Sequence, residues 1–516
     1  MRLTFLTVLS VVLLQSAICQ QYYDVTKYGA KRDSTQKATV AIATAIAAAS
    51  KAGGGTVYFP AGKYLTGPIH LKSNITIFID AGAELHFSDN FDDYLPMVES
   101  RYEGVDVKSF SPLFYAYKAE NISIRGRGLI NGHGKKWWDF VEGYKADQPR
   151  SKWQYMFDSL NKSILLPDDP RQMQRGFLRP PFIQPMYCKN VLIEGITIVN
   201  SPFWTVNPEF CENVTVTGVT INNPRSPNTD GINPESCRYV HISNCHISVG
   251  DDCITIKSGK DIPGRTKAAP AENYTITNCT MLSGHGGVVI GSEMSGGVRN
   301  IAISNCIFDG TDRGIRIKTT RGRGGAVEDV RVDNIIMRNI RDQAFVMDME
   351  YSRSAPEPLS ERTPAIRNIR FSNITAYTKD AGFINGLAEM PVENISFYDI
   401  YLQAENGFVI RKAKNIEFHN AVINAKKGSV VITNEVNEIE LDGVRTTVPL
   451  SGIPVISMTD TENGYIRNCR PVAGTDLFLQ LKGKQTNHIV LQGNNFEQAK
   501  KVVGKSEEVT YTPVIN

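Results

Sequence analysis

Four short segments carry side chains that could do chemistry: Asn228-Thr229-Asp230, Gly250-Asp251-Asp252, Gly284-His285-Gly286 and Arg316-Ile317-Lys318. Together they hold three carboxylates, one histidine and two permanent cations. Carboxylates brought close cannot all ionise freely, so one is expected to hold a proton. A protonated carboxylic acid beside a carboxylate base is the equipment for glycoside hydrolysis. Arg316 and Lys318 lie two residues apart on one strand face and so point together, which suits an anion such as a sugar carboxylate. The glycines flanking His285 let the backbone approach a ligand. Taken singly, each segment has a plainer explanation. An Asp-Asp pair suits a solvated turn or a calcium site, a lone histidine is commonly structural, and paired cations often meet nearby acids. Their order across successive repeats is what joins them.

The repeat supplies the elements that would position them. From Asn190 a phrase of alternating β-formers recurs: NVLIEGITIVN, NVTVTGVTINN from Asn213, YVHISNCHISV from Tyr239, NYTITNCTMLS from Asn273 and NIAISNCIFDG from Asn300. Later copies begin at Asp329, Asn368, Asn394, Asn415 and Glu438, and weaker ones at Asn74 and Asn121. Successive starts are 213−190 = 23, 239−213 = 26, 273−239 = 34 and 300−273 = 27 residues apart. Short strands at such a period predict an all-β solenoid, in which each coil buries its apolar face only by stacking on its neighbours. The separation 251−230 = 21 is close to one coil, so Asp230 should sit beside Asp251 and Asp252. On a regular strand the latter two would face opposite sides, so Gly250 must mark a turn or bulge. The Asn residues before the repeated Cys slot, Asn244, Asn278 and Asn305 with Asn334, Asn373 and Asn420 in register, suit turns and side-chain ladders.

The stretch from Asp33 to Gly53 contains the Ala-rich run KATVAIATAIAAASKAG, expected as a helix capping the open end of the solenoid. The repeat breaks between Gly132 and Pro181, where Trp137, Trp138, Trp153 and Tyr155 form either a groove wall or a packed flap. Net charge is only +3, which gives no field drawing the whole chain to nucleic acid. Residues 1–19 read as a secretion signal: Arg2, an apolar run from Leu3 to Leu14, then small residues with cleavage after Cys19. The alternative is lipidation at Cys19. The expected product, residues 20–516, is a single domain, monomeric, without a transmembrane segment, and periplasmic or secreted. Eight cysteines then remain, an even number that suggests disulfides in an exported protein. Cys245, Cys279 and Cys306 share one repeat slot and are instead expected as a ladder of buried free thiols. No metal-type cysteine spacing occurs, and neither a metal nor another cofactor is expected.

The blocks NTDGIN, VGDDCITIKSG, SGHGGVVIGS and RGIRIKT resemble the signatures of glycoside hydrolase family 28, the polygalacturonase family. The similarity runs from about Tyr22 to about Thr320. It implies a right-handed parallel β-helix and inverting hydrolysis of α-1,4 galacturonosyl bonds in pectic oligo- or polysaccharides. By the same resemblance Asp251 is the general acid, Asp230 and Asp252 activate water, and His285 tunes the acid. Arg316 and Lys318 contact the galacturonate carboxylate, and Asn228 positions water or a sugar hydroxyl. Many members read Asn-Thr-Asp-Gly-x-Asp where this chain has Asn233. The segment Gly291–Gly297 is similar to bacterial exo-acting members and, with the 132–180 insertion, is expected to close one end of the groove. Inversion calls for ~6.5–9.5 Å between acid and base carboxyls. Competing readings are a rhamnogalacturonan or decorated-galacturonan hydrolase of the same family, a pectate lyase, and a non-catalytic glycan-binding solenoid.

Overall fold

A computed structural model describes residues 22–143, 149–163, 178–223, 226–352, 354–449 and 451–516. The expected secretion signal and Cys19 lie outside the described residues. The chain winds into a parallel β-helix, and its pairings show why the repeat folds this way. Ile77, Ile124, Ile193, Val216, Ile242, Ile276, Ile303, Val332, Phe371 and Phe397 are register partners from one coil to the next. All ten are buried, so the period-2 alternation of each phrase becomes one continuous apolar column. The Asn residues before the Cys slot adopt left-handed backbone, φ from +51° at Asn420 to +57° at Asn244, which turns each coil. A second ladder joins the repeat-initial residues: Asn190 Nδ2 donates to Asn121 Oδ1 and Asn213 Nδ2 to Asn190 Oδ1, at 2.8 and 2.7 Å.

Helix α1 (Thr39–Lys51) caps the first coils, with Ala41, Ile42, Ala45, Ile46 and Ala49 buried on one face. It starts later than its sequence signal, because Asp33–Lys37 is a strand paired to Gly62–Thr66. The insertion holds helices α2 (Lys135–Glu142) and α3 (Lys152–Leu160). Trp137 and Trp153 of the insertion pack into the fold, while Tyr155 is exposed. Trp137 is fully buried and stacked on Phe91 at 4.0 Å, and Trp153 donates to Asp92 at 2.8 Å. The eight described cysteines are free and buried, so the disulfide expectation is not met among the described residues. They occupy inward positions of stacked coils, where a thiol packs as a small apolar group.

A feature absent from the sequence reading is an antiparallel hairpin, Val98–Tyr102 with Val105–Ser109. Its turn residues Glu103 and Gly104 have φ of +44° and +82°, the two left-handed conformations of a tight hairpin turn. It folds over the outward face of the sheet. Arg101 reaches from it between the stacked, fully buried Glu209 and Glu235, and its Nη2 lies 2.7 Å from Glu235 Oε1. Ser100 donates to Gln184 Oε1 at 2.8 Å. Helix α4 (Asp261–Lys267) packs beside the hairpin turn, where a Cβ on Gly104 would lie 2.7 Å from Lys260 N.

Candidate active site

Parallel bridges run Ile232–Ile254, Ile254–Val288 and Val288–Ile315, so the four segments sit on consecutive coils of one sheet. Asp230 lies one coil from Asp252, and Gly231 N donates to Asp252 O at 3.0 Å. The strand through Val249 ends in a bend at Gly250 and Asp251, as the facing of two successive carboxylates requires. Gly250 is pressed against the preceding coil, where a Cβ would meet Ser226 O at 2.1 Å. Gly284, at φ +153°, would carry a Cβ 2.5 Å from Asp251 O, and this close approach lets His285 N donate to that oxygen at 2.9 Å.

One oxygen each from Asp230, Asp251 and Asp252 gathers within 4.8 Å of the other two. These nearest oxygens lie closer than the ~6.5–9.5 Å that inversion calls for between acid and base carboxyl groups. Asp251 is the accessible member, its side chain 18% exposed against 1% for Asp252. His285 Nδ1 lies 3.2 Å from Asp251 Oδ1. Burial alone would raise the Asp251 carboxyl, but the hydrogen bond and charge of His285 hold it below its usual value. The same hydrogen bond raises the His285 imidazole. The carboxyl that rises is Asp230, through burial first and then the Asp251 charge. One carboxylate of the three does hold its proton more tightly, but it is not the residue identified as the acid. Asp230 Oδ1 and Asp252 Oδ1 are both buried with no hydrogen-bond partner among the described residues. A water with two hydrogens to donate would satisfy both.

Arg316 and Lys318 do point together. Lys318 Nζ donates to Asp252 Oδ2 at 2.8 Å, and Arg316 Nη1 lies 3.9 Å from Asp252 Oδ1. Each cation also lies 5.5 Å from the centre of the Tyr351 ring. These two charges crowd the carboxylate cluster with cations from its own chain. Asn228 faces the opposite side, its Nδ2 3.4 Å from Asp251 Oδ2. Asn233, the departure from the family pattern, is buried one coil before Thr255 on the outward face.

Several residues here had no place in the sequence reading. Lys257 is buried beside Asp230, donates to Glu293 Oε2 at 2.6 Å and rests 4.7 Å from the Trp204 ring. Burial would raise the Glu293 carboxyl, but Lys257, Arg323 and Lys260 hold it far below the usual range. Lys257 lies inside the block VGDDCITIKSG, two residues beyond the outward-facing Thr255, which was the available signal. Tyr351 and Arg179 lay in irregular sequence with no period to mark them. In the Gly291–Gly297 segment Ser292, Glu293, Met294 and Ser295 are buried, with Glu293 on Lys257 and Ser295 beside α4. The segment thus meets Lys257 on the outward face, near the hairpin turn, where Lys260 pairs with Glu103.

The family model for glycosyl hydrolases family 28 matches residues 170–415, which include all four segments. A model described as rhamnogalacturonase A/epimerase, pectate lyase-like, matches residues 22–143. A probable polygalacturonase of Vitis vinifera is 31% identical over 386 residues, covering 72% of this chain and 72% of that protein. An exo-poly-alpha-D-galacturonosidase of Dickeya chrysanthemi is 27% identical, covering 68% of this chain and 60% of that protein. Among solved structures, a hyperthermoactive exopolygalacturonase from Thermotoga maritima is 33% identical with a TM-score of 0.68, over 78% of this chain and 91% of that one.

Proposed function

The chain belongs to glycosyl hydrolases family 28, and on that footing we propose that it is a polygalacturonase hydrolysing α-1,4 bonds between galacturonate residues of pectin from a chain end. The observation that carries this is the side-by-side placement of three carboxylates with two cations that share one outward face. The carboxylates suit bond cleavage, and Arg316 with Lys318 suits the uronate carboxylate of the sugar. The exopolygalacturonase and exo-galacturonosidase relatives support the same reading.

In this scheme the proton resides on the His285 imidazolium, 3.2 Å from Asp251, and Asp251, the accessible carboxyl, takes it and passes it to the leaving glycosidic oxygen. Asp230 and Asp252 hold the attacking water between the oxygens that no described residue hydrogen-bonds, and Asp230 takes the water's proton. Neither is placed as a nucleophile, because both are almost fully covered, and Asp252 is held by Lys318. Inversion therefore fits better than a covalent intermediate despite the short spacing. The hairpin runs along the coils of Glu209, Glu235 and Lys260, beside the carboxylates, which suits a pocket accepting one chain end. Its anchor, Arg101 buried between Glu209 and Glu235, makes it a fixed wall. The alternative substrate, rhamnogalacturonan, draws only on the match over residues 22–143, which ends before the carboxylates. We further propose export of the chain, from the leader pattern in residues 1–19.

Product analysis on polygalacturonate, methylated pectin and rhamnogalacturonan tests the proposal. The expected result is early release of monogalacturonate from polygalacturonate. Mixed mid-sized oligomers at early times would overturn the chain-end mode, and cleavage of rhamnogalacturonan alone would overturn the substrate. Asp251→Asn should lower the rate by about 10²–10⁴-fold while substrate still binds. A non-catalytic glycan-binding protein would lose nothing.

A further inference from the structure

Arg179 lies just past the insertion and is 3% exposed. Its guanidinium rests 4.9 Å from the Phe203 ring, and Phe203 stacks on Tyr102 of the hairpin at 4.4 Å. It donates to three acceptors: Pro227 O at 2.7 Å, Asn228 Oδ1 at 2.8 Å and the Tyr102 hydroxyl at 3.3 Å. Asn228 in turn donates from Nδ2 to Asp251 Oδ2 at 3.4 Å. The order of donors fixes the geometry. A guanidinium can only donate, so the Asn228 amide must turn its oxygen to Arg179 and its NH₂ to Asp251. Without Arg179 the amide is free to flip and present an acceptor to the carboxyl instead.

The two Asp251 oxygens are thereby distinguished. Oδ1 meets His285 Nδ1 at 3.2 Å and accepts from Asp252 N at 2.9 Å. Among the described residues Oδ2 has one long contact, to Asn228, which leaves it the oxygen available to a leaving group. We infer that Arg179 is a positioning residue for the reaction: through Asn228 it orients Oδ2 of Asp251, and through Tyr102 it ties that carboxyl to the hairpin that walls the groove. The inference rests on the function proposed above, in which Asp251 is the acid. Its chemical content is a preset amide whose N–H favours the ionised carboxyl left after proton transfer.

The test uses the full-length enzyme with Arg179→Gln, Arg179→Lys and Tyr102→Phe. Arg179→Gln should lower kcat by about 10- to 100-fold while KM changes less than about 3-fold, because the acid is misplaced and the carboxylate clamp is untouched. Losing the oriented Asn228 donor favours protonated Asp251. The descending limb of the pH–rate profile and the His285 imidazole titration followed by NMR should therefore both move to higher pH. Arg179→Lys should restore only part of the rate, since lysine lacks the fork that serves three acceptors. Tyr102→Phe should shift the same quantities less, and it keeps the test open if Arg179→Gln does not fold. In an Asn228→Ala background Arg179→Gln should have almost no further effect. Unchanged kcat and pH limb, a fall in thermal stability alone, or full additivity with Asn228→Ala would each overturn the inference. If the wild type leaves polygalacturonate intact, the proposed function fails. The His285 titration in the free protein still reads the Arg179 relay by itself.

Discussion

Substituting Lys318 by Met removes one charge from the proposed uronate clamp and keeps most of the apolar stem. Lys318 Nζ lies 2.8 Å from Asp252 Oδ2, and the two side chains are 9% and 1% exposed. Breaking a buried pair of this kind costs about 3–5 kcal/mol, mostly through the charge left behind. Here Arg316 remains 3.9 Å from the same carboxylate, so the loss should fall near the lower end. The substrate effect is separate. A charge-assisted hydrogen bond to a galacturonate carboxylate contributes about 1.5–3 kcal/mol, or about 10- to 150-fold in kcat/KM. A methyl-esterified residue lacks the charge and loses little. The assay is initial-rate kinetics on polygalacturonate and on highly methylated pectin for wild type and Lys318→Met, beside thermal unfolding of both. The ratio of the two kcat/KM values should fall by about 10- to 150-fold. If Lys318 only steadies Asp252, both substrates slow equally and the ratio stays fixed, which would refute its placement in the clamp.

Further outcomes follow from the same geometry. NMR of fresh digests should show the β-anomer at the new reducing end, and a first-formed α-anomer would assign a covalent intermediate to this tight cluster. Activity should rise as pH climbs through Asp230, which must ionise to accept a proton and whose pKa is raised by burial and Asp251. It should fall as pH climbs through His285, also raised, by its bond to Asp251. Both limbs of kcat/KM against pH should thus lie above the ordinary values of about 3.9 for aspartate and 6.5 for histidine, and limbs at or below those values would contradict the assignment. A raised carboxyl pKa disfavours the folded state above its unfolded value, so Asp230→Asn should abolish activity yet stabilise the fold at neutral pH by about 0.5–2 kcal/mol. Calorimetry showing destabilisation would oppose this. The eight described cysteines are free and buried, so reductant should leave the melting temperature unchanged, and thiol reagents should label them only on unfolding.

How much of this could be read from the sequence depends on what each residue answers to. The column from Ile77 to Phe397 was legible because every coil repeats the same local demand, an apolar face that only a neighbour can cover. Asp230, Asp251, Asp252, His285, Arg316 and Lys318 were legible because that repeat converts spacing along the chain into adjacency across coils. The bend at Gly250 followed from two successive carboxylates needing one cleft. The hairpin was not legible. Glu103-Gly104 is a weak turn signal, and the contact that fixes the hairpin joins Arg101 to Glu235, 134 residues away and in no repeat register with it. The same reason hid Arg179.

That difference bears on how the site works. The repeat places reactive groups at coil spacing, which is too coarse to tell one carboxylate from another. Asp230, Asp251 and Asp252 start as the same chemical group within 4.8 Å. What separates them comes from elsewhere: burial beside Lys257 for Asp230, His285 and Asn228 for Asp251, and Lys318 and Arg316 for Asp252. Two of these influences depend on loops that break the repeat. Asn228 is turned by Arg179, and Lys257 is held by Glu293 of the Gly291–Gly297 segment. The irregular parts of this solenoid therefore act on the same carboxylates as His285, Lys318 and Arg316 of the repeat, so substitutions there should alter pH dependence and kcat before they alter the fold.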